Sequence, residues 1–293
     1  MSAARPSAVV CGHVTLDRVA GGLVPGGSAW YAAHTFRSLG ADTRVLTAAA
    51  PDYPPDALAG LTARIAPAAR TTLFVNVHAR GGGRTQRVEA AAPPLDPAAL
   101  GSDWRGSDVL YLAPVLGELA PRAFVTAAGA RTVGLGVQGL VRAVAPDGAV
   151  VQPRWSFAPD ELAGVAAAFV GEDDLRGQDD LVARLADAVP IVVYTHGADG
   201  CEVITGGRHA RVGVFPAREV DPTGAGDVFA AGFLFALARG EEPVEAARLG
   251  AAAASIVVEG VGGETLGRVG EALERVRQVP VMARNLTFPP HRP

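Results

Sequence analysis

Short β-rich runs that alternate with alanine-rich helical stretches constrain this chain more than any other feature. The runs fall at residues 8–11, 44–47, 108–112, 132–135 and 191–194. Helical patterns span about 28–39, 55–65, 121–129, 179–188, 224–239, 243–258 and 267–278. Such alternation predicts an α/β fold with a central, mostly parallel sheet covered by helices on both faces. Ligands of these sheets sit beyond the carboxyl ends of the strands. One stretch breaks the pattern: residues 71–78 and 84–89 flank Gly81-Gly82-Gly83 and read as a β-hairpin. A hairpin inserted in such a domain is either a lid that excludes water from a site or a plain extension of the sheet.

Composition narrows the chemistry by exclusion. Hydrophobic residues make up 49% and charged residues 19% of the 293, the balance of a soluble globular chain. The net charge of −4 leaves no basic excess for nucleic acid. All 26 basic residues are Arg. Without a Lys there is no Walker A loop, no Schiff-base lysine and no protein-kinase strand lysine. Cys11 and Cys201 stand alone in apolar runs, so they read as buried thiols rather than a zinc site or a disulfide framework. No apolar stretch reaches membrane-spanning length, and residues 8–11 form a strand without a preceding signal-peptide core, so cytoplasm is the expected compartment. The proline-rich tail at 288–293 is expected to fray.

Two glycine motifs compete for the chemistry. Residues 134–139, Gly-Leu-Gly-Val-Gln-Gly, fit the dinucleotide fingerprint GxGxxG. That motif needs a full helix opening at its third glycine, and here only six residues precede the turn at Pro146-Asp147-Gly148. A nicotinamide oxidoreductase is therefore the weakest reading. Asp221-Pro222-Thr223-Gly224-Ala225-Gly226-Asp227, by contrast, leads straight into a long apolar helix. Thr223 is a fitting N-cap, and Gly224, Ala225 and Gly226 form a first turn almost without side chains. The backbone N–H groups of such a turn bind anions, phosphate above all. Asp227 lies in the same turn, where the helix dipole favours its ionised form, so it can accept a proton. A base beside an anion hole suits phosphoryl transfer. An isolated Asp would serve the dipole alone; three small residues and a second acid, Asp221, argue against that.

The motif resembles the C-terminal signature of the ribokinase-like (PfkB) small-molecule kinases, and other stretches match the family in order. Gly12 to Asp17 resembles its opening strand. Pro25-Gly26-Gly27-Ser28-Ala29 resembles its double-glycine signature, and Thr195-His196-Gly197-Ala198-Asp199-Gly200 its nucleotide-side turn. Residues 252–255 and the glycine loop at 260–263 sit where the family closes over adenine. The resemblance implies one three-layer Rossmann-like ribokinase domain over 1–293, with a small β lid from about 13–25 and 71–91. It implies ATP with Mg²⁺, and in many members K⁺. Asp227 would then be the base and Gly224, Ala225 and Gly226 the anion hole. Asp17, Gly26 and Gly27 would bind the acceptor. Thr195, Gly197, Gly200, Ala253 and Gly260 would face the nucleotide. Asp174 and Glu172 would organise Mg²⁺ through water, and Asp221 would neighbour a monovalent cation.

The chain also departs from the family pattern. Gly171 stands where the family has the Asn of its Asn-x-x-Glu, Tyr31 where the double-glycine signature ends in Asn, and Ser28 where ribokinase has Lys. Residues 136–142, with Gln138 and Arg142, resemble the myo-inositol kinase subgroup and supply donors and acceptors for a polyol ring. The same two side chains would serve equally to cap a turn. The expected function is ATP-dependent phosphorylation of a hydroxyl on a small polyol or sugar, with myo-inositol as the lead. A nucleoside or furanose kinase, or a non-catalytic nucleotide- or polyol-binding protein, is the alternative. His13 reads as a structural histidine, His34 as packing and Glu118 as a surface residue. Leu73, Val75 and Val77 alternate on one face, which would either pair two copies in a homodimer or cover the chain's own core.

Overall fold

The computed structural model describes residues 5–78 and 84–278. Parallel strands β1 (Ser7–Cys11), β4 (Asp42–Ala49), β5 (Thr62–Pro67), β8 (Val109–Leu112), β9 (Thr132–Gly136), β12 (Ala167–Gly171) and β13 (Ile191–Thr195) build the main sheet. An antiparallel pair, β14 (Cys201–Thr205) and β15 (Arg208–Val212), closes one edge. The nine strands run in the order β15-β14-β13-β12-β9-β8-β1-β4-β5.

Period-two alternation divides the core between the two faces. Val10, Val45, Val109, Tyr111, Phe169 and Val193 face helices α1 (Ser28–Ser38), α4 (Ala225–Ala238) and α5 (Pro243–Val257), with α6 (Ala272–Gln278) beyond. Val9, Cys11, Leu46, Leu110, Leu112, Leu135 and Val192 face α2 (Pro121–Ala128) and α3 (Leu181–Ala188) on the other side. Residues 228–236 of α4 are all buried, because the helix lies between the sheet and α5. A Cβ on Gly250 would lie 2.7 Å from the Phe229 carbonyl, so glycine there sets how closely the two helices cross. Both cysteines are buried and free.

A second, four-stranded sheet covers the carboxyl end of β1 and β4, in the order β3-β2-β6-β7. It consists of β2 (Thr15–Val19), β3 (Gly22–Gly26), β6 (Thr72–His78) and β7 (Arg84–Ala90). The antiparallel pairing of β6 with β7 is the expected hairpin; its glycine turn at 81–83 lies outside the described residues, as does the tail at 288–293. Leu73 packs inward with Val14, Leu16 and Tyr53, so this position covers the chain's own core. A small ribbon, β10 (Ala143–Val144) with β11 (Val150–Val151), completes the strands.

Two expectations are corrected. The helix over 55–65 is a single 3-10 turn at Pro55–Leu58 followed by strand β5. Gly60, at φ +76°, breaks the helix, and the sheet edge offered by β4 overrides the alanine-rich propensity. The last helix is 3-10 at Leu266–Glu271 and α-helical only over Ala272–Gln278. No helix among the described residues is long and apolar enough to cross a membrane.

Candidate active site

The turn at the start of α4 is built by glycine geometry. Gly224, at φ +79°, is the N-cap, in place of the expected Thr223. Only glycine fits: a Cβ there would lie 2.6 Å from Tyr31 Cγ, and the Tyr31 ring is itself buried. The Ala225 N–H turns back to the Pro222 carbonyl at 3.1 Å, whereas the first intrahelical bond runs from Val228 N–H to Gly224 O at 2.9 Å. The N–H groups of Gly226 and Asp227 are therefore the pair that α4 presents to a ligand. Asp221 clamps the turn. Its Oδ1 accepts from Thr223 N–H and its Oδ2 from Gly262 N–H, both at 2.9 Å, which ties the turn to the loop after α5.

Asp227 keeps partial contact with solvent, and its carboxyl is pushed up to about 6, first by desolvation and further by Asp174. A hydrogen bond from Ser28 and the charge of Arg142 oppose the rise. Burial thus outweighs the helix dipole, which alone would hold the carboxyl low. At neutral pH the group is ionised yet able to take a proton, the condition for a general base.

The double glycine places the opposite wall. A Cβ on Gly26 would collide with Asp17 Oδ2, and one on Gly27 (φ +93°) would lie 2.7 Å from the His13 carbonyl. Gly27 caps α1, so Ser28 enters the helix within hydrogen-bond reach of Asp227. His13 is a strut: Nε2 bonds Pro93 O at 3.0 Å and Nδ1 bonds Thr72 Oγ1 at 3.0 Å. A carbonyl can only accept, so Nε2 donates this bond. His34 likewise packs, on Trp30, and bonds Ala57 O. Glu118 is buried rather than on the surface. Its carboxylate accepts from the backbone N–H groups of His13, Val115 and Leu116 and holds the loops at the ends of β1 and β8.

Beyond β9 and β12 lie Gln138, Arg142 and Asp174. The loop after β9 is tied to β12 by Val137 N–H to Phe169 O at 3.0 Å. It forms a tight turn with no helix, and a Cβ on Gly139 would lie 2.5 Å from Val115 N, so these glycines serve close backbone approach rather than a dinucleotide. Asp174 is buried; its Oδ2 accepts from Gly171 N–H at 2.9 Å, and its Oδ1 has no hydrogen-bond partner. Desolvation raises its carboxyl, against the Gly171 bond and the charge of Arg142. Glu172 points outward and holds His196 Nδ1 at 2.7 Å. No group of three or more His, Cys, Asp or Glu among the described residues is arranged to hold a metal ion.

Thr195 lies at the end of β13, and His196 N–H closes the following turn on Gly200 O at 2.8 Å. Gly197 and Gly200, at φ +53° and +93°, allow that turn. Gly260 sits in the loop after α5, against Thr265. Ala253 is fully buried in the α4–α5 contact beside Gly232. Sequence reasoning missed Ser28 as the partner of Asp227 and Tyr31 as the wall behind Gly224; in both cases the neighbouring glycines were the signal.

A glycine-capped helix turn, a half-buried carboxyl and a polar wall thus lie at the carboxyl ends of the parallel sheet. Residues 158–266 match the family model described as pfkB family carbohydrate kinase. The chain is 35% identical over 180 residues to inositol 3-kinase of Zea mays, a match covering 57% of this chain and 44% of that protein. It is 43% identical over 88 residues to inositol 3-kinase of Oryza sativa subsp. japonica, covering 30% and 22%. The chain thus matches less than half the length of these curated relatives. Among solved structures, it is similar to a pyrophosphate-dependent kinase of the ribokinase family complexed with a pyrophosphate analog and myo-inositol. The TM-score is 0.75 at 22% identity, covering 90% of this chain and 99% of the other. Ribokinase from Thermotoga maritima gives 0.68 at 19%, covering 93% and 98%. At these identities the structures show the fold.

Proposed function

We propose that the protein is a phosphotransferase that phosphorylates one hydroxyl of a small polyol or sugar, with myo-inositol as the leading acceptor and ATP as the donor. The observation that carries this reading is Asp227: a carboxyl raised to about 6, beside two helix-terminal N–H groups. The inositol 3-kinase relatives support the choice of acceptor. Asp17, Gln138 and Arg142 orient the acceptor ring, with Gly26 and Gly27 shaping its seat. Asp227 accepts the proton of the attacking hydroxyl, and the Gly226 and Asp227 amides receive the negative charge of the transferring group. Thr195, Gly197, Gly200 and the Gly260 loop contact the donor.

Asp174 suits Mg²⁺ held through water, since a buried oxygen without a partner is a fitting hard ligand and Mg²⁺ needs few carboxylates. When bound, Mg²⁺ neutralises phosphate charge. The loops tied by Asp221 are the proposed seat of K⁺, and the cytoplasm is the proposed compartment.

The test is phosphoryl transfer from Mg·ATP, and separately from pyrophosphate, to myo-inositol, other inositols, ribose, fructose, adenosine and guanosine. Turnover on an inositol with ATP supports the full reading. Turnover on a nucleoside or furanose moves the acceptor class, turnover with pyrophosphate alone moves the donor, and silence on every arm refutes the phosphotransferase.

A further inference from the structure

Two sheets share the proposed acceptor seat, and a ribbon joins them. Asp17 lies on β2 of the four-stranded sheet, whereas Gln138 and Arg142 follow β9 of the main sheet. Residues 137–141 are rooted in the main domain. Val137 N–H reaches Phe169 O at 3.0 Å, Leu140 N–H returns to Val137 O at 2.9 Å, and Gly139 lies against Pro114 and Val115. Ala143, the residue after Arg142, already belongs to the ribbon β10–β11. The far end of that ribbon meets strand β7 at the edge of the four-stranded sheet.

Hydrogen bonds fix this meeting point. Within the ribbon's turn, Gly148 N–H closes on Ala145 O at 2.8 Å and Ala145 N–H on Ala149 O at 2.9 Å. Asp147 Oδ1 accepts from Ala149 N–H at 3.0 Å. The carbonyls of Asp147 and Gly148 are both taken by β7: Arg87 Nη2 donates to Asp147 O, and Val88 N–H donates to Gly148 O at 2.8 Å. Arg87 and Ala149 pair as an antiparallel bridge. Gly148, at φ +87°, permits the close approach, since a Cβ there would stand 3.1 Å from Val88 O. An edge strand exposes N–H and C=O groups in need of partners, and the ribbon supplies them at 87–88. Four residues further on, Ala92 N–H donates to Thr72 Oγ1 at 3.0 Å, so the contact sits beside the root of the small sheet and sets its angle.

We propose that the 143–151 ribbon is a brace between the acceptor loop and the small sheet. Arg87 is then a positioning residue for the acceptor, through its hold on the Asp147–Gly148 turn. An acceptor held by Asp17 from one sheet and by Gln138 and Arg142 from the other depends on the spacing that the brace sets. The acceptor role rests on the phosphotransferase reading; the brace rests on the hydrogen bonds.

The experiment has two readouts. Hydrogen exchange on the ligand-free protein follows segments 86–90 and 143–151, and kinetics follow acceptor and donor KM on the acceptor the wild type uses. The variants are Arg87→Ala, Gly148→Ala and the double variant. Glu89→Gln is the control, since Glu89 lies on the same strand but pairs with Arg18 at 2.6 Å. Arg87→Ala should quicken exchange in both segments and raise acceptor KM about fivefold, the effect of one lost hydrogen bond. Donor KM should stay within about twofold, and Tm within roughly 2 °C, because the side chain is exposed. Gly148→Ala should act in the same direction and add little in the Arg87→Ala background. Glu89→Gln should match wild type in both readouts. Wild-type exchange in Arg87→Ala and Gly148→Ala would overturn the brace. Quickened exchange with an unchanged acceptor KM, or with donor KM raised equally, would overturn the positioning role. A wild-type protein that transfers phosphate to no acceptor overturns the phosphotransferase reading and the acceptor role with it, and exchange alone then decides the brace.

Discussion

Replacing Gly224 by Ala tests the construction of the anion turn. Two costs add at this position. A non-glycine residue at φ +79° pays about 1–2 kcal/mol of left-handed backbone strain. The new methyl would also stand 2.6 Å from Tyr31 Cγ. Tyr31 is 3% exposed and holds Trp30 edge-on with centroids 5.0 Å apart, so the ring has nowhere to swing. Overpacking of this kind costs about 1–3 kcal/mol. The expected loss is about 2–5 kcal/mol, read as a Tm lower by roughly 3–8 °C in a chain of this size. Urea unfolding gives the energy directly. The cycle with Tyr31→Leu separates the two costs: removing the ring should return the steric part, a coupling of at least about 1 kcal/mol, and leave the backbone part. Because the same turn presents the Gly226 and Asp227 amides, Gly224→Ala should also weaken donor use. A wild-type Tm in Gly224→Ala, or strict additivity with Tyr31→Leu, would refute this account of the turn.

Asp227→Asn should stabilise the fold at neutral pH, because a carboxyl raised from 3.8 to about 6 by folding costs stability once ionised. The folded state binds the proton more tightly, so wild-type stability falls as pH rises from about 4 to about 6. The variant should gain up to about 3 kcal/mol at pH 7 and nothing below about pH 4, measured by thermal unfolding at both. Glu118→Gln puts an amide donor against three backbone donors and should cost about 2–3 kcal/mol, visible in urea unfolding. Gly171→Asn should fold with wild-type Tm, since its backbone is extended and a Cβ would stand 3.5 Å from both Asp174 Oδ2 and Thr195 Oγ1; its half-saturating Mg²⁺ should fall in a kinase assay.

Much of the fold was legible because its information is local. The β-branched runs at 8–11, 44–47, 108–112, 132–135 and 191–194 all lie in or at the ends of strands of the main sheet. The small-residue turn before α4 was legible from seven consecutive residues, and Gly224 caps the helix there. Strand β5 was not legible: Thr62–Pro67 is alanine-rich and half-exposed, and only the open edge of β4 makes it a strand. The site's supporting contacts were equally hidden. Ser28 meets Asp227 and Tyr31 meets Gly224 across long sequence separations, and no periodicity encodes such pairs. What marked them was glycine at positions where a side chain would have been ordinary. The elevation of Asp227 was likewise invisible, since the dipole acts within one turn but desolvation depends on every element packed around it.

The central claim is that Asp227 takes the proton of the acceptor hydroxyl. The direct measurement is kcat for phosphoryl transfer by wild type and Asp227→Asn, under saturating Mg·ATP and the acceptor found active. Loss of a general base predicts a drop of about 10²–10⁴ in kcat with the fold intact. Turnover within a few-fold of wild type would contradict the claim and place the base elsewhere.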